Sequence, residues 1–438
     1  MTADTVESKS GKLSPLARLA ASNQLAGWLD QGLVSATNFA VLLMIARFSD
    51  VSQVGYYAIG FSILILAMTM QDSLVTRPYA IQLFKPPGGP EAHAFGALVF
   101  SLMLSAGIGA VLALIAVLLL ASGKADGLSG LVGTLALAAP FALGREFARR
   151  YSFANLLMRQ ALMLDAAASI IILAALGILA YSGTLDARSG LVTIGLGGGG
   201  VAGFWLVLKR QSFKKSRHAA SQTARQSWSF GKWLLASQLT LQTQGYAAHW
   251  IILATTGAAA TGIYSACLSV VGLSNPFLFG LFNMLTPKFV RKLKDEGEQG
   301  LRREAFRDAL AIGAIMGTFT LLLLLAGEWL MTLLFVQENY SGHAGLLGLL
   351  ALAAAIAAMG APATIALSAV ERGRAIAALS FGTCVLGSIA VWFLLNRWGL
   401  MGAACGILVT ETLGTIARWA LFLKGGQVPQ TSMKTFRQ

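Results

Sequence analysis

The sequence predicts an all-α polytopic membrane protein with about twelve transmembrane helices in two parallel six-helix lobes. The composition, the spacing of apolar stretches and the placement of basic residues all indicate this class. Of the 438 residues, 56% are apolar and 12% are charged, and the mean hydropathy is +0.68, whereas soluble domains carry about 25% charged residues. Because one membrane crossing needs about 20 apolar residues, the chain has room for a dozen helices and no separate soluble domain.

Apolar stretches of spanning length follow one another along the whole chain. They lie near residues 23–46, 54–75, 94–121, 128–144, 161–182 and 190–208, and then near 229–254, 261–287, 308–327, 343–370, 375–395 and 400–423. The predicted organisation is an N-terminal tail (1–22), a first lobe (23–208), a basic linker (209–228), a second lobe (229–423) and a C-terminal tail (424–438).

The basic residues favour one side of the predicted membrane. With the N-terminus in the cytoplasm, the cytoplasmic segments hold 28 of the 33 Lys and Arg residues, as the positive-inside rule requires. The net charge of +14 therefore indicates topology and attraction to anionic membrane lipids rather than nucleic-acid binding. We expect both termini in the cytoplasm and no nucleic-acid partner.

The two halves of the chain repeat with an offset of about 208 residues. Gly55-Tyr56-Tyr57-Ala58 opens the second predicted helix, and Gly262-Ile263-Tyr264-Ser265 opens the eighth. Because six is an even number, both halves start on the same side of the membrane. Parallel repeats of this kind occur in transporters that rock two lobes around a central site.

The first and seventh predicted helices each carry a polar stripe. Asp30 and Thr37 are seven residues apart, with Asn38 beside them, and the repeat places Gln238 opposite Asp30, with Gln242 one turn later. Polar side chains are costly where they face lipid, so the stripes predict a hydrated cavity between the lobes. The alternative is hydrogen bonding between helices inside a dry bundle.

Similarity to a known family is carried by six stretches of the chain, which are residues 30–39, 46–48, 55–58, 71–78, 144–151 and 399–404. These stretches resemble the polysaccharide transport family of flippases, which belongs to the multidrug/oligosaccharidyl-lipid/polysaccharide flippase superfamily together with the multidrug and toxic compound extruders. The resemblance implies a flippase that moves undecaprenyl-pyrophosphate-linked oligosaccharide across the bacterial inner membrane for O-antigen, exopolysaccharide or capsule synthesis. The polymerase and chain-length regulator of that pathway would be its partners.

Such a substrate needs a hydrated, partly cationic cavity, because guanidinium groups bind phosphate in bidentate geometry and polar side chains bind sugar hydroxyls. For the arginines the alternative is ordinary anchoring at the membrane surface, and for Arg47 it is a surface ion pair with Asp50. The candidate cavity residues are Asp30, Asn38, Arg47, Asp72, Arg77, Arg145, Arg149, Gln238 and Gln242.

Three residues are candidates for ion coupling. Asp30 and Glu411 are carboxylates inside predicted spans, and His249 is a candidate because histidine side chains ordinarily titrate near physiological pH. The alternatives are a packing or capping role for Asp30, a structural pair between Glu411 and Arg418, and a hydrogen-bonded neutral imidazole at His249.

No sequence motif points to bond chemistry. The chain has no phosphate-loop lysine motif, no zinc-ligand spacing and no nucleophile elbow, so we predict neither a cofactor nor a metal site nor an enzyme. Two other functions stay open beside the flippase. One is a cation-coupled multidrug antiporter of the same superfamily. The other is a membrane glycosyl polymerase or ligase, which is disfavoured because such enzymes normally have a large outer loop and the longest one predicted here is 328–342.

Overall fold

The computed structural model describes residues 15–84, 86, 88–123 and 127–424, nearly all of them helical and none in a β-strand. The predicted tails, 1–22 and 424–438, lie largely outside these ranges. A π-helix, Asp72–Thr76, joins α2 to α3. The helices are α1 (Pro15–Phe48), α2 (Val51–Gln71), α3 (Arg77–Gln82), α4 (Pro90–Ala121), α5 (Leu128–Ala154), α6 (Met158–Tyr181), α7 (Ala187–Leu208), α8 (Arg217–Thr256), α9 (Ala258–Val271), α10 (Asn275–Phe335), α11 (Ala344–Ala369) and α12 (Gly373–Lys424).

The twelve predicted spans are helical to within two residues at their ends, which confirms the predicted fold class. Nine stretches of the described chain are long and apolar enough to cross a membrane. Two of them are broken, α10 at Gly297 and α12 at Gly399, where the glycines have φ of 68° and 60°, a conformation that costs other residues energy. The remaining span is the more polar α8, which begins inside the predicted linker.

The two sequence repeats meet through equivalent residues of α2 and α9. A Cβ atom on Gly55 would collide with the carbonyl oxygen of Ala258, and one on Gly262 would collide with the carbonyl oxygen of Val51. Gly262 and Ala258 each lie 207 positions after their counterparts, Gly55 and Val51. The contact is therefore reciprocal, as at a two-fold interface, and a pseudo-two-fold axis passes between the two helices.

Among the described residues, the fully buried apolar side chains of the two lobes form a shared cluster at one end of the bundle. One cluster combines Ile45 and Val54 of the first lobe with Ile252, Val270 and Phe335 of the second. Towards the other end the core divides into two clusters, each confined to one lobe apart from half-buried residues at its edge. These are the cluster around Leu74, Phe147 and Trp205 in the first lobe and the cluster around Phe289, Leu301 and Ala366 in the second.

We call the end with the shared cluster the joined end and the other the separated end. Loop contacts also link the lobes at the joined end, where the side-chain amide of Gln337 donates to the Ser49 carbonyl at 2.8 Å. At the separated end, the connection between the lobes is α8, whose first turns pack on α4 through Thr223 and Gly96 and on the π-helix through Gly231. Any cleft between the lobes is therefore closed at the joined end.

Candidate functional site

The polar stripe of α1 divides between two environments. Asp30 is fully buried and Thr37 is nearly so. The Thr37 hydroxyl donates to the Ser169 hydroxyl of α6 at 2.8 Å, so this part of the stripe faces the interior of the first lobe. Asn38 is half-buried and Gln31 is exposed. Hydrogen bonding between helices, the alternative considered from the sequence, accounts for Thr37.

Arg149 of α5 contacts two buried carboxylates at once. Its Nη2 lies 2.7 Å from Asp30 Oδ2, and its Nε lies 2.6 Å from Asp165 Oδ2 on α6. Asp165, like Asp30, has no exposed surface. Two buried negative charges that lie close together are strongly unfavourable without a positive partner, and Arg149 is the positive charge between them.

Arg145, one turn before Arg149, contacts the same aspartate from the other side. Its Nε and Nη2 donate to Asp165 Oδ1 at 2.9 and 2.8 Å. Asp165 thus joins two arginines that the sequence had singled out, although the sequence analysis did not identify Asp165 itself. The available signal was a lone carboxylate in the apolar stretch 161–182, where an acidic residue is costly unless it is paired.

Ion pairs continue from Arg149 to the surface at the separated end. Glu146 Oε1 lies 3.7 Å from Arg149 Nη1 and accepts from Arg150 Nε at 2.6 Å. Arg150 Nε lies 3.9 Å from Asp72 Oδ1. Arg77 Nε donates to Asp72 Oδ2 at 2.6 Å.

These side chains form one connected set, which we call the charge network. When all are ionised, its four arginines and four carboxylates carry no net charge. Burial decreases from Asp30, which is 0% exposed, to Arg77 and Arg150, whose side chains are 46% and 41% exposed. The network comprises Asp30, Asp72, Arg77, Arg145, Glu146, Arg149, Arg150 and Asp165.

The equivalent stripe on α8 is uncharged. Gln238 and Gln242 are half-buried, and the Gln242 amide donates across the lobe boundary to the Thr69 hydroxyl of α2 at 3.3 Å. The structure therefore places the polar stripes of α1 and α8 in different surroundings, one in a buried ionic network and one beside the other lobe.

Arg47 links the two lobes at the joined end. Its Nε donates to the Leu334 carbonyl at 2.6 Å and its Nη2 to the Leu333 carbonyl at 2.8 Å. These carbonyls end α10, where a positive charge also interacts favourably with the helix dipole. Asp50 instead caps α2 through the backbone N–H of Ser52, so the surface ion pair between Arg47 and Asp50 does not form.

The two other ion-coupling candidates lie in the second lobe. Glu411 Oε2 is 3.2 Å from Arg418 Nη2 in α12, and both side chains are about a quarter exposed. His249 is buried in α8 between the rings of Tyr246 and Tyr264, with ring centroids 5.6 and 4.9 Å away. Asp30, Glu411 and His249 are not brought together. Across the described part of the chain, no three His, Cys, Asp or Glu side chains are grouped to hold a metal ion.

Comparisons with known proteins identify the fold. The sequence matches no family model and no curated protein. Among solved structures, the chain is similar to an inward-facing multidrug resistance MATE family transporter of the MOP superfamily, at 15% identity and a TM-score of 0.73, over 88% of this chain and 93% of that one.

Two further solved structures resemble the chain less closely. An outward-facing MATE family transporter has 14% identity and a TM-score of 0.63. A MOP superfamily transporter from Pyrococcus furiosus, described as having a binding pocket of reversed polarity, has 13% identity and a TM-score of 0.65. Each comparison covers 93% of this chain and 95% of the other. The chain therefore has the two-lobed fold of the MOP superfamily transporters.

Proposed function

We propose that the protein is a membrane transporter that works by alternating access between its two lobes. The observation that carries this proposal is the division of the hydrophobic core, which is shared between the lobes at the joined end and separate at the other. Because packed interfaces have discrete arrangements rather than continuous ones, breaking the shared cluster and joining the two separate ones would open the cleft to the opposite side. The TM-score to the inward-facing neighbour is higher than that to the outward-facing one, which supports an inward-facing state for this structure.

The distribution of basic residues supports a cytoplasmic location for the separated end. Arg77, Arg150, Lys209 and Lys288 lie at or near this end, where the positive-inside rule expects them. The structure then corresponds to a state that receives cargo from the cytoplasm. The protein would be a multi-pass component of a bacterial inner membrane with both termini on that side.

The structural neighbours favour a multidrug antiporter, because two of them are multidrug resistance transporters. Organic cations would enter the cleft from the separated end and leave from the other side in exchange for a cation. The buried Asp30 and Asp165 are acidic side chains of the type such exchange requires.

The lipid-linked oligosaccharide flippase is the second candidate, and the charge network favours it. Arg149 already neutralises Asp30, and Arg145 with Arg149 neutralises Asp165. Both carboxylates are therefore already paired with an arginine of the same chain, whereas an antiporter would use such carboxylates to bind the cation that it exchanges. Arg77 and Arg150, the most exposed members of the network at the separated end, are the members best placed to meet a pyrophosphate.

Reconstituted vesicles would distinguish the cargoes. We expect either uptake of a fluorescent organic cation driven by a sodium or proton gradient, or movement of an undecaprenyl-linked oligosaccharide between leaflets without such a gradient.

Alternating access itself is tested with a cross-linking variant. In this variant the three native cysteines are replaced by alanine, and S49C and Q337C are introduced at the joined end. A reducible thiol cross-linker across these positions should stop transport and its reduction should restore transport, and undiminished transport after complete cross-linking would refute alternating access.

A further inference from the structure

His249 lies in the contact that closes the cleft. Its ring packs edge-on against Tyr264 of α9, with centroids 4.9 Å apart. Tyr264 lies two residues after Gly262, and Tyr57 lies two residues after Gly55, so these tyrosines are equivalent positions beside the reciprocal glycine contact. His249 and both tyrosines are more than nine-tenths buried. Separating α2 from α9 would therefore change the surroundings of His249.

Two buried polar atoms in this contact have no hydrogen-bond partner. They are His249 Nδ1 and the hydroxyl of Tyr57. A buried polar group without a partner costs roughly 1 to 3 kcal/mol, which the closed arrangement must offset through apolar packing. Both atoms would gain partners if water entered between the helices.

The surroundings of His249 suit a neutral imidazole. The titratable groups around it are Tyr246 on its own helix, Tyr264 and Cys267 on α9, and Tyr57 on α2, which interacts with Tyr246. Among the described residues, no charged side chain interacts electrostatically with the His249 ring.

The charged side chains of the neighbouring helices have other partners. Glu328 of α10 lies within electrostatic range of Cys267, and its carboxylate accepts a hydrogen bond from the Gly342 N–H. Glu411 of α12 is paired with Arg418. Asp30 of α1 is paired with Arg149. A protonated His249 would be a buried cation without a counter-ion, which is strongly unfavourable.

We propose that His249 is a proton-binding site whose protonation opens the joined end of the cleft. The inference rests on the proposed alternating access. Opening the contact hydrates the ring, one proton from water then binds to the imidazole, and the resulting imidazolium opposes closure. Because the proton binds the open state better, it shifts the equilibrium towards that state.

The size of the effect follows from the ordinary titration of histidine. In a hydrated open state the ring titrates near pH 6.5, while in the closed state it stays neutral. The ratio of open to closed molecules should then increase about tenfold between pH 7.5 and pH 5.5. Binding of a proton to His249 from the side of the joined end would therefore favour the state in which the cleft is open to that side.

Spin-label distances across the joined end test the proposal. Labels on T184C and E338C, in exposed turns of the first and second lobes, would be measured in vesicles with the native cysteines replaced. We expect the long-distance population to increase about tenfold relative to the short one between pH 7.5 and 5.5, and to lose this dependence in His249→Gln. Tyr57→Phe and Asp30→Asn should keep the dependence, since neither removes the imidazole.

The outcomes separate this inference from the proposed function. If the joined end opens equally at both pH values, or if His249→Gln keeps the pH response, the proton site is refuted and alternating access stands. If the joined end opens under no condition, including addition of cargo, both proposals are refuted. Should His249→Gln fail to fold, His249→Asn replaces it, and loss of the pH response only in Asp30→Asn would assign the proton to the charge network and refute the site at His249.

Discussion

The two lobes share a fold but differ in how their interiors are charged. The first lobe contains the charge network, with two fully buried carboxylates. In the second lobe, Gln238 is the repeat equivalent of Asp30, and the carboxylate–arginine pair described in α12, Glu411 with Arg418, is about a quarter exposed. Equivalent positions of the two lobes therefore differ in their buried charges. Loss of one partner of a buried ion pair leaves the other charge without compensation, so single substitutions in the charge network should cost more stability than matching ones in the second lobe.

Removing Asp165 should have the largest effect. It takes away the carboxylate paired with Arg145, whose side chain is 83% buried, and one of the three carboxylates around Arg149, whose side chain is 89% buried. We expect Asp165→Ala to lose about 3 to 5 kcal/mol of stability, the usual cost of breaking a buried pair from one side. Thermal unfolding of the purified protein in detergent would measure the loss. The double variant Asp165→Ala with Arg145→Leu should recover part of it, since one unpaired charge is removed, and no recovery would contradict the pairing.

The matching change in the second lobe should cost much less. Glu411→Ala removes a partially exposed pair, and such pairs contribute roughly 0 to 1 kcal/mol. The same unfolding measurement applies, with Arg418→Ala as the control. A loss as large as that of Asp165→Ala would remove the proposed distinction between the lobes.

The smallest difference concerns the starts of α2 and α9. Asp50 caps α2, whereas the residue at the equivalent position before α9 is Gly257, which provides no side-chain cap. Hydrogen bonds from the Ser52 hydroxyl and backbone N–H hold the pKa of Asp50 below its ordinary value of 3.8. A carboxyl with a lowered pKa stabilises the fold fully above pH 3.8 and loses that contribution as the pH falls through the lowered value.

We therefore expect Asp50→Ala to cost about 1 kcal/mol at pH 7 and Asp50→Gly a few tenths. Asp50→Asn should keep the cap, because its amide oxygen still accepts a hydrogen bond. Unfolding measured at pH 7 and pH 3 would show a smaller pH effect in Asp50→Asn than in the natural chain. An equal pH effect in both proteins would mean that this carboxyl does not titrate as the cap geometry requires.

Sequence patterns predicted the features that depend on one segment at a time. Length and hydropathy gave the twelve spans, and matching glycines gave the repeat that the contact between Gly55 and Gly262 bears out. Pairing between helices was harder to predict. Asp165 contacts Arg145 and Arg149 because α5 and α6 pack in a particular rotation, and a period of 3.6 residues does not define that rotation.

Arg47 shows the same limit. Its neighbour in sequence, Asp50, was the obvious partner, but the carbonyls of Leu333 and Leu334 lie almost 300 positions away along the chain. The break at Gly297 was likewise placed only loosely, within the loop predicted between two spans. Residue types indicated where polar groups were present, while tertiary packing determined which of them met.

The reciprocal contact of Gly55 and Gly262 also bears on how such a chain diverges. In a symmetric dimer of identical halves, a single glycine would make this contact twice, and one substitution would act at both places. In a single chain the two glycines are separate positions that lie on opposite sides of one contact. Either one alone limits how closely the helices approach, whereas positions away from the axis, such as Asp30 and Gln238, are under no such shared limit and differ in chemistry.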